Sequence, residues 1–144
     1  MKLISIYEND QATTALMIPE DDDFVLVQLS GAVDHESYKM VFDKLYQIIA
    51  VYKYRNVIYD LKSLTNTEEH SRSWFVTNFL PKVIKNLGTN FRTATIRPEN
   101  TFEGSSVDFL TELSQKLGFT NAVCSFDSRE QAINWILDKK RSVM

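Results

Sequence analysis

The chain has 144 residues, is 44% hydrophobic and 24% charged, and carries a formal net charge of −3. This length predicts a single domain, residues 1–144, with one core, and the acidic balance argues against broad nucleic-acid binding, which needs a cationic surface. The single cysteine excludes an internal disulfide, and the lack of a long apolar run predicts a cytoplasmic protein without a transmembrane helix or a signal peptide.

The first elements along the chain are predicted strands. Residues 3–8 and 13–18 are short strand candidates, and we expect them to form an antiparallel edge of a sheet. An acidic turn, 19–23, comes next. The segment 24–31, FVLVQLSG, is apolar at nearly every position, which is typical of a strand that is covered on both faces.

Residues 34–52 predict the first helix. Asp34 stands where its side chain would accept a hydrogen bond from an amide of the first helical turn. Helical spacing places six residues on the expected buried stripe, which are Val41, Phe42, Leu45, Ile48, Ile49 and Tyr52.

A short buried strand, 56–61, leads into a second long helix, which is predicted from about Thr67 to Leu87. Pro81 interrupts this helix because proline lacks the amide donor and its ring crowds the carbonyl group four residues earlier. We therefore expect a kink at Pro81 or two helices in series. Gly88 is expected to end the unit with a left-handed backbone conformation.

The C-terminal part alternates strand and helix. Residues 91–98 predict a strand with Ala94 and Ile96 on one face and Thr93 and Thr95 on the other. A helix is predicted over the following segment, with its apolar stripe at Phe109, Leu110, Leu113 and Leu117.

That helix spans 105–119, and Gly118 is expected to end it. A strand at 121–126 and a helix at 127–140 complete the prediction, with Ser128 at capping-box spacing from Gln131. The stripe of the last helix is Ala132, Ile133, Ile136 and Leu137. Strands first, and then strict alternation of helix and strand, predict an α/β layer fold.

Three segments resemble the SpoIIAA-like superfamily, which includes the STAS domains. The strand VIYDL, 57–61, is similar to the superfamily strand that ends in Asp-Leu and leads into a regulatory loop and helix. FVLVQLSGAVD, 24–34, is similar to its hydrophobic strand followed by a glycine and a new helix, and AINWIL, 132–137, resembles its last helix. The resemblance covers residues 24–137 in element order. It implies a mixed, mostly parallel sheet with alternating helices and an antiparallel N-terminal edge.

The resemblance also implies a function. Sporulation-type STAS proteins are regulators with an Asp-Ser pair at the start of the helix after this loop, and a partner kinase phosphorylates that serine. Glu68 and Glu69 occupy the corresponding place in this chain. The resemblance thus implies a regulatory role without the phosphoserine switch. SEC14-type lipid-transfer proteins have a related layout, which implies lipid binding as an alternative.

Polar residues that follow the strands are candidate contacts for a ligand or a partner, and they are Lys62, Thr65, Asn66, Thr67, Arg97 and Asn100. Ligands of open α/β sheets bind outside the carboxyl ends of the strands, and helix N-termini attract anions. The alternative for 65–67 is helix capping, since Thr65 and Asn66 each stand three residues before a glutamate. We favour capping there and solvated loop residues at the other three positions.

The other reactive side chains are expected to be structural. His35 and His70 fall in the first turns of predicted helices and lack the three or more ligands of a usual metal site. Cys124 lies in a predicted buried strand without an adjacent base. Trp135 is offset from the apolar stripe of its helix, which makes it a candidate interface aromatic, with core packing as the equal alternative.

The leading hypothesis is a non-catalytic cytoplasmic regulatory domain that binds another protein, and a homo-oligomer is possible. The alternative is a small binding module for a lipid or another apolar ligand. An enzyme ranks third because the sequence has no Gly-rich phosphate loop, nucleophile elbow or paired-cysteine motif. We therefore expect no catalytic residue, no metal ligand and no cofactor.

Overall fold

The computed structural model describes residues 2–21, 23–119 and 123–142. Its strands are β1 Leu3–Glu8, β2 Thr14–Pro19, β3 Val25–Leu29, β4 Gly31–Val33, β5 Asn56–Asp60, β6 Leu64–Thr67, β7 Arg92–Ile96 and β8 Val123–Phe126. Its helices are α1 His35–Tyr52, α2 Glu69–Trp74, α3 Leu80–Leu87, α4 Thr101–Lys116 and α5 Arg129–Ser142. A π-helical turn, Phe75–Phe79, joins α2 to α3.

Six of the described strands form one mixed sheet in the order β1-β2-β3-β5-β7-β8. β1, β2 and β3 are antiparallel neighbours, whereas β3, β5, β7 and β8 run parallel. In the middle of the sheet, Ile58 pairs with Leu26 on one side and with Ala94 on the other. β4 and β6 pair in parallel as a separate small sheet. The predicted fold class is confirmed, including its antiparallel N-terminal edge.

The central strands of the main sheet are buried on both faces, which explains the continuous apolar run in β3. Val25 and Val27 belong to the larger core, which also contains side chains of α1, α3, α4 and the π turn. Leu26 and Ile58 belong to the smaller core, which α5 covers. Because alternate residues of a strand point to opposite faces, β3 needs apolar side chains at successive positions.

α1 confirms the predicted cap and corrects one position of the predicted stripe. The Asp34 carboxylate accepts a hydrogen bond from the Ser37 amide at 2.8 Å. Tyr52, which was predicted to be buried, is 70% exposed. Its neighbour Val51 is also exposed, because the last turn of α1 extends past the core. Lys53 then ends the helix in a left-handed conformation with φ of 60°.

The predicted strand 24–31 divides into β3 and β4. Gly31 has φ of +67°, a conformation that residues with a side chain rarely adopt. Its amide donates a hydrogen bond to the Ser63 carbonyl at 2.8 Å. The chain therefore leaves the main sheet at Gly31, and β4 pairs with β6 instead.

The second helix begins later than the sequence predicts. Thr65 and Asn66 lie in β6, and α2 begins at Glu69. The expectation that one of them caps the helix is wrong, because β4 supplies a strand partner that the local sequence does not reveal. Glu68 precedes α2, and its carboxylate accepts a hydrogen bond from the His35 amide at 2.6 Å rather than from its own helix.

Pro81 lies in the first turn of α3, directly after the π turn. The Leu80 amide bonds to the Phe75 carbonyl five residues back, as in a π-helix. The wider turn thus immediately precedes the position where proline removes an amide donor. The interruption predicted at Pro81 takes the form of a π turn between two α-helices in series.

The ends of α4 are set by Asn100 and Gly118. The Asn100 side chain accepts a hydrogen bond from the Glu103 amide at 3.0 Å, so α4 begins at Thr101 and not near residue 105 as predicted. Gly118 has φ of +117°, and the Phe119 amide bonds back to the Ser114 carbonyl. The predicted glycine at the end of this helix is confirmed.

The inner face of α4 differs from the predicted stripe. Its buried residues are Glu103, Gly104 and Val107. Phe109 and Leu117, which were expected to face the core, are 64% and 41% exposed. The helix is rotated so that the buried Glu103 carboxylate accepts hydrogen bonds from Thr67. In this rotation Phe109 faces solvent.

The last strand and helix agree with the prediction within the described residues. Residues 121–122 of the predicted strand lie outside them. The Ser128 hydroxyl accepts a hydrogen bond from the Gln131 amide at 3.2 Å, which confirms the cap of α5. Ala132, Ile136 and Leu137 are buried against the sheet, as expected.

Candidate functional site

A cavity of about 130 Å³ lies between the main sheet and its larger helical layer. β5 and β7 form its floor, and α1, the π turn, α3 and α4 contribute to its walls. Most of its lining is apolar, including Phe42, Phe75, Phe79, Val107 and Leu110. Packed protein interiors contain few voids larger than a water molecule, so a cavity of this size is a candidate site.

The composition of α4 explains why this space is not filled. Small or polar side chains of α4 line the cavity, including Ser106, Thr111 and Ser114. The two phenylalanines of the helix, Phe102 and Phe109, are 62% and 64% exposed. The two phenylalanines of α4 therefore face away from the cavity, which they would otherwise fill.

One end of the cavity is polar. The buried Glu103 carboxylate accepts hydrogen bonds from the Thr67 amide at 2.7 Å and from the Thr67 hydroxyl at 3.0 Å. The Arg72 guanidinium donates to the Thr67 carbonyl oxygen at 2.7 Å and lies 3.9 Å from the Glu103 carboxylate. The Arg72 guanidinium carbon also lies over the Phe102 ring, 5.3 Å from the ring centre. These four residues hold β6, α2 and α4 together.

Two tyrosine side chains reach the cavity from opposite walls, Tyr38 from α1 and Tyr59 from β5. Neither hydroxyl forms a hydrogen bond with the part of the chain that the structure describes. Burial raises the pKa of both phenols above the usual range of tyrosine. The nearby Tyr59 raises the pKa of Tyr38 further, and the positive charge of Arg72 opposes this effect. Both phenols are therefore neutral at ordinary pH.

Two threonines add hydroxyls to the same cavity. Thr93 and Thr95 line it from β7, while Ala94 between them faces the opposite core. Thr95 is 4% exposed. Neither threonine hydroxyl has a hydrogen-bond partner among the described residues. Four hydroxyls thus point into a largely apolar space.

The candidate residues 65–67 do not form one site. Thr65 and Asn66 are exposed on β6, whereas Thr67 is buried and bonded to Glu103. Only Thr67 lines the cavity. An anion-binding role for this segment has no support in this arrangement, because the buried carboxylate of Glu103 occupies the polar contacts of Thr67.

The candidates Lys62, Arg97 and Asn100 occupy neighbouring loops. The Glu99 amide bonds to the Lys62 carbonyl at 3.2 Å. Arg97 forms an exposed ion pair with Asp108 at 2.6 Å, and Asn100 serves as the cap of α4. Two of the three side chains therefore have structural partners.

Lys62 also borders an open cleft at the carboxyl ends of β3, β5 and β7. The walls of this cleft include Gln28, Asp60 and Arg129. The Arg129 guanidinium pairs with the Asp60 carboxylate at 2.7 Å and is 3.4 Å from the Gln28 side-chain oxygen. This pair joins the start of α5 to the end of β5.

Trp135 is half-buried against the smaller core. This position is intermediate between the two alternatives predicted from the sequence, an exposed interface aromatic and a core residue. The Arg92 guanidinium lies 4.3 Å from its ring centre, and the Phe126 ring lies 5.7 Å away. Arg92 also donates a hydrogen bond to the Trp135 carbonyl at 3.3 Å. These contacts give Trp135 a packing role, and its role at an interface stays a prediction.

His35 and His70 meet, which their separation in the sequence does not suggest. Their ring centres are 4.1 Å apart, and the His35 Nδ1 atom lies 2.9 Å from the Ser71 hydroxyl. The pair joins the starts of α1 and α2. Among the described residues, no group of three or more His, Cys, Asp or Glu side chains is placed to hold a metal ion. The same residues include no helix long and apolar enough to cross a membrane.

Sequence reasoning missed Tyr38, Tyr59, Arg72 and Glu103 as members of one site. Glu103 resembles an ordinary acid in the first turn of a helix, and its burial becomes evident only when β6 lies beside α4. A signal was available in β7, where threonines alternate with apolar residues in a strand that is covered on both faces. Such alternation indicates that one face of the strand meets a less apolar environment.

Comparison with protein-family models and with curated protein sequences gives no match for the chain. Solved structures do match. The anti-sigma factor antagonist SpoIIAA in its unphosphorylated form aligns with a TM-score of 0.57 at 15% identity, over 85% of this chain and 96% of that protein. The chain has the SpoIIAA-like fold.

Two further structures agree with the SpoIIAA-like fold. An uncharacterised protein from Shewanella loihica with this fold aligns with a TM-score of 0.55 at 17% identity, over 85% of this chain and 91% of that protein. The phosphorylated form of SpoIIAA, a cell fate determinant of Bacillus, aligns with a TM-score of 0.54 at 16% identity, over 85% and 98% of the two chains. The resemblance to SpoIIAA-like proteins that the sequence indicates is confirmed at the level of the fold.

Proposed function

We propose that this SpoIIAA-like chain is a non-catalytic cytoplasmic regulatory domain that works by binding another protein. The observation that carries this function is the outward face of α4, where Phe102 and Phe109 are 62% and 64% exposed. Seven residues correspond to two helical turns, so the two rings lie on one side of the helix. Exposed apolar patches with a polar rim are typical of interaction sites.

The surroundings of these rings favour a particular kind of partner. Glu99 and Glu112 are exposed near the two ends of the patch. The partner we propose is therefore a protein with an apolar groove and a basic rim, which would receive α4 as an amphipathic helix. A structural role, and not a catalytic one, is proposed for the polar cluster of the larger core. In this cluster the Thr67 hydroxyl donates a hydrogen bond to Glu103 and accepts one from Arg72.

A pull-down from native extract tests this function with two matched variants. Phe109→Ser removes an exposed aromatic from the patch, and Tyr52→Ser removes an equally exposed aromatic from the end of α1. We expect a stoichiometric partner that the wild type and Tyr52→Ser retain and that Phe109→Ser loses. Equal retention by both variants, or turnover of a metabolite without any partner, contradicts the proposed function.

A second candidate function, the binding of a lipid or another apolar ligand, is favoured by the cavity beneath α4. Its volume of about 130 Å³ is below the roughly 300–1,000 Å³ that is typical of pockets for drug-sized ligands. This volume favours a small ligand over a long-chain lipid. Native mass spectrometry after mild purification separates the two functions, since an added small mass supports the ligand and a clean apo mass weakens it.

A further inference from the structure

We propose that the cavity beneath α4 binds a small neutral molecule of about one ring, which is held by hydrogen bonds to Tyr38, Tyr59 and Thr95. This site rests on the second candidate function and specifies its ligand. It is independent of protein binding through the outer face of α4.

The volume of the cavity sets the size of the ligand. An engineered cavity of about 150 Å³ with Leu, Ile and Phe walls is large enough to bind benzene. The present cavity has about 130 Å³ and a wall that includes Phe42, Phe75, Phe79, Val107 and Leu110. One aromatic or aliphatic ring therefore fits, whereas an extended acyl chain exceeds the space.

The hydroxyls of the cavity indicate that the ligand has a hydrogen-bonding group. Buried polar groups in native proteins are almost always paired. Four hydroxyls without a partner among the described residues line this one cavity, and they belong to Tyr38, Tyr59, Thr93 and Thr95. Tyr38 and Thr95 are each 4% exposed. A largely apolar pocket with a few convergent polar groups is the usual composition of a small-molecule site.

A buried threonine elsewhere provides a contrast. Among the described residues, the Thr14 hydroxyl in β2 is enclosed by protein and has no hydrogen-bond partner, whereas the four hydroxyls of the cavity border open space. It does not line the cavity. Thr14 therefore serves as a matched control for the loss of a buried, unpaired hydroxyl that plays no part in the proposed site.

The charges near the cavity favour a neutral ligand. The Glu103 carboxylate and the Arg72 guanidinium line the cavity 3.9 Å apart and offset each other's charge, so neither is a free counter-charge for an ionic ligand. Both groups are already bonded to Thr67. The remaining wall is apolar apart from hydroxyls, and burial of a charge without a partner is strongly unfavourable. The phenols of Tyr38 and Tyr59 stay protonated and can donate to a carbonyl or hydroxyl oxygen.

Methyl-detected NMR titration of the full chain tests this site with four probes, which are phenol, benzene, benzoate and palmitate. We expect phenol to shift the methyl signals of Val107 and Leu110 saturably and to bind more tightly than benzene. Benzoate and palmitate should not produce saturable shifts there. Tyr59→Phe and Thr95→Val remove single hydroxyls at nearly constant shape, and each should weaken phenol binding at least fivefold. Thr14→Val should leave it unchanged.

A filling variant provides an independent check. Val107→Phe adds volume inside the cavity and should abolish phenol binding while the methyl spectrum remains that of a folded protein. If this variant does not fold, the nearly isosteric Tyr59→Phe and Thr95→Val decide the outcome. Phenol binding that survives in a folded Val107→Phe, or that weakens equally in Thr14→Val, overturns the site.

The probes also distinguish the proposed one-ring ligand from the more general function of binding an apolar ligand. Saturable binding of palmitate without binding of phenol overturns the one-ring ligand but keeps the apolar-ligand function. The absence of saturable binding by every probe overturns both. Neither result bears on the α4 pull-down, because Phe109 faces solvent and does not line the cavity.

Discussion

Glu103 in the first turn of α4 accepts hydrogen bonds from both the amide and the hydroxyl of Thr67, the last residue of β6. The carboxylate is almost fully buried, and Arg72 lies beside it. This contact anchors α4 to the small sheet of β4 and β6. It also fixes the rotation of α4, with its phenylalanines outward and its small polar side chains toward the cavity.

The first prediction concerns the stability that this contact provides. Glu103→Ala leaves the Thr67 amide without its acceptor and Arg72 without its counter-charge, and we expect a loss of about 3 kcal/mol in the free energy of unfolding. Glu103→Gln keeps an acceptor and should lose less. Glu112→Ala, an exposed acid of the same helix, is the control and should change stability by less than about 0.5 kcal/mol. Urea denaturation measures all three, and equal effects at both sites would refute the anchoring role.

The second prediction is that the segment 60–67, which ends in β6, is a structural connection between β5 and α2 and not a phosphorylation switch. The Thr67 hydroxyl lies 3.0 Å from both oxygens of the Glu103 carboxylate, so a phosphate there would meet a negative charge in a buried setting. We expect Thr67→Glu to unfold the domain and Thr65→Glu to be tolerated, because Thr65 is exposed. Circular dichroism melting compares the two variants.

Phosphoproteomic mapping of the native protein tests the same expectation. Substantial occupancy at Thr65 or Thr67, together with a change in partner affinity, would restore a phosphorylation switch.

The third prediction separates the helix cap in the structure from the one expected from the sequence. Asn100 bonds to the Glu103 amide, so Asn100→Ala should cost about 1 kcal/mol. Asn66 lies exposed in β6 and caps no helix, so Asn66→Ala should change stability by less than about 0.5 kcal/mol. Thermal unfolding of the two variants under one set of conditions is sufficient. A larger loss for Asn66→Ala would show that the capping signal in the sequence is used after all.

The mixed main sheet with its antiparallel N-terminal edge could be predicted from the sequence, because its strands and helices have local sequence signals. The strand 56–61 is short and largely apolar, and the strand 91–98 alternates threonine with Ala94 and Ile96. The helices before and after these strands begin at the capping residues Asp34 and Ser128. Element order then restricts the topology. Strand patterns and helix caps depend on residues that are close together in the chain, so they can be recognised from a single sequence.

The pairing of β4 with β6 and the rotation of α4 depend on contacts between distant segments. Gly31 turns the chain away from β3, and Thr67 then becomes a strand residue whose hydroxyl meets Glu103. Nothing in the segment 64–67 alone distinguishes this arrangement from a helix start with capping residues. The cavity was not predictable for the same reason, because it depends on the rotation of α4 that turns Phe102 and Phe109 toward solvent.

The last prediction follows from the raised pKa of the two tyrosines that line the cavity, Tyr38 and Tyr59. Unfolded tyrosine ionises near pH 10, and burial raises the pKa of Tyr38 and Tyr59 in the folded state. Above about pH 10 the unfolded chain loses these protons while the folded chain keeps them, so stability is full below that pH and falls above it. Each phenol contributes about 1.4 kcal/mol per pH unit to this fall. Tyr38→Phe should reduce the slope of unfolding free energy against pH, measured from pH 9 to 11.5, whereas the exposed control Tyr52→Phe should not. An unchanged slope in Tyr38→Phe would mean that this phenol ionises freely in the folded protein.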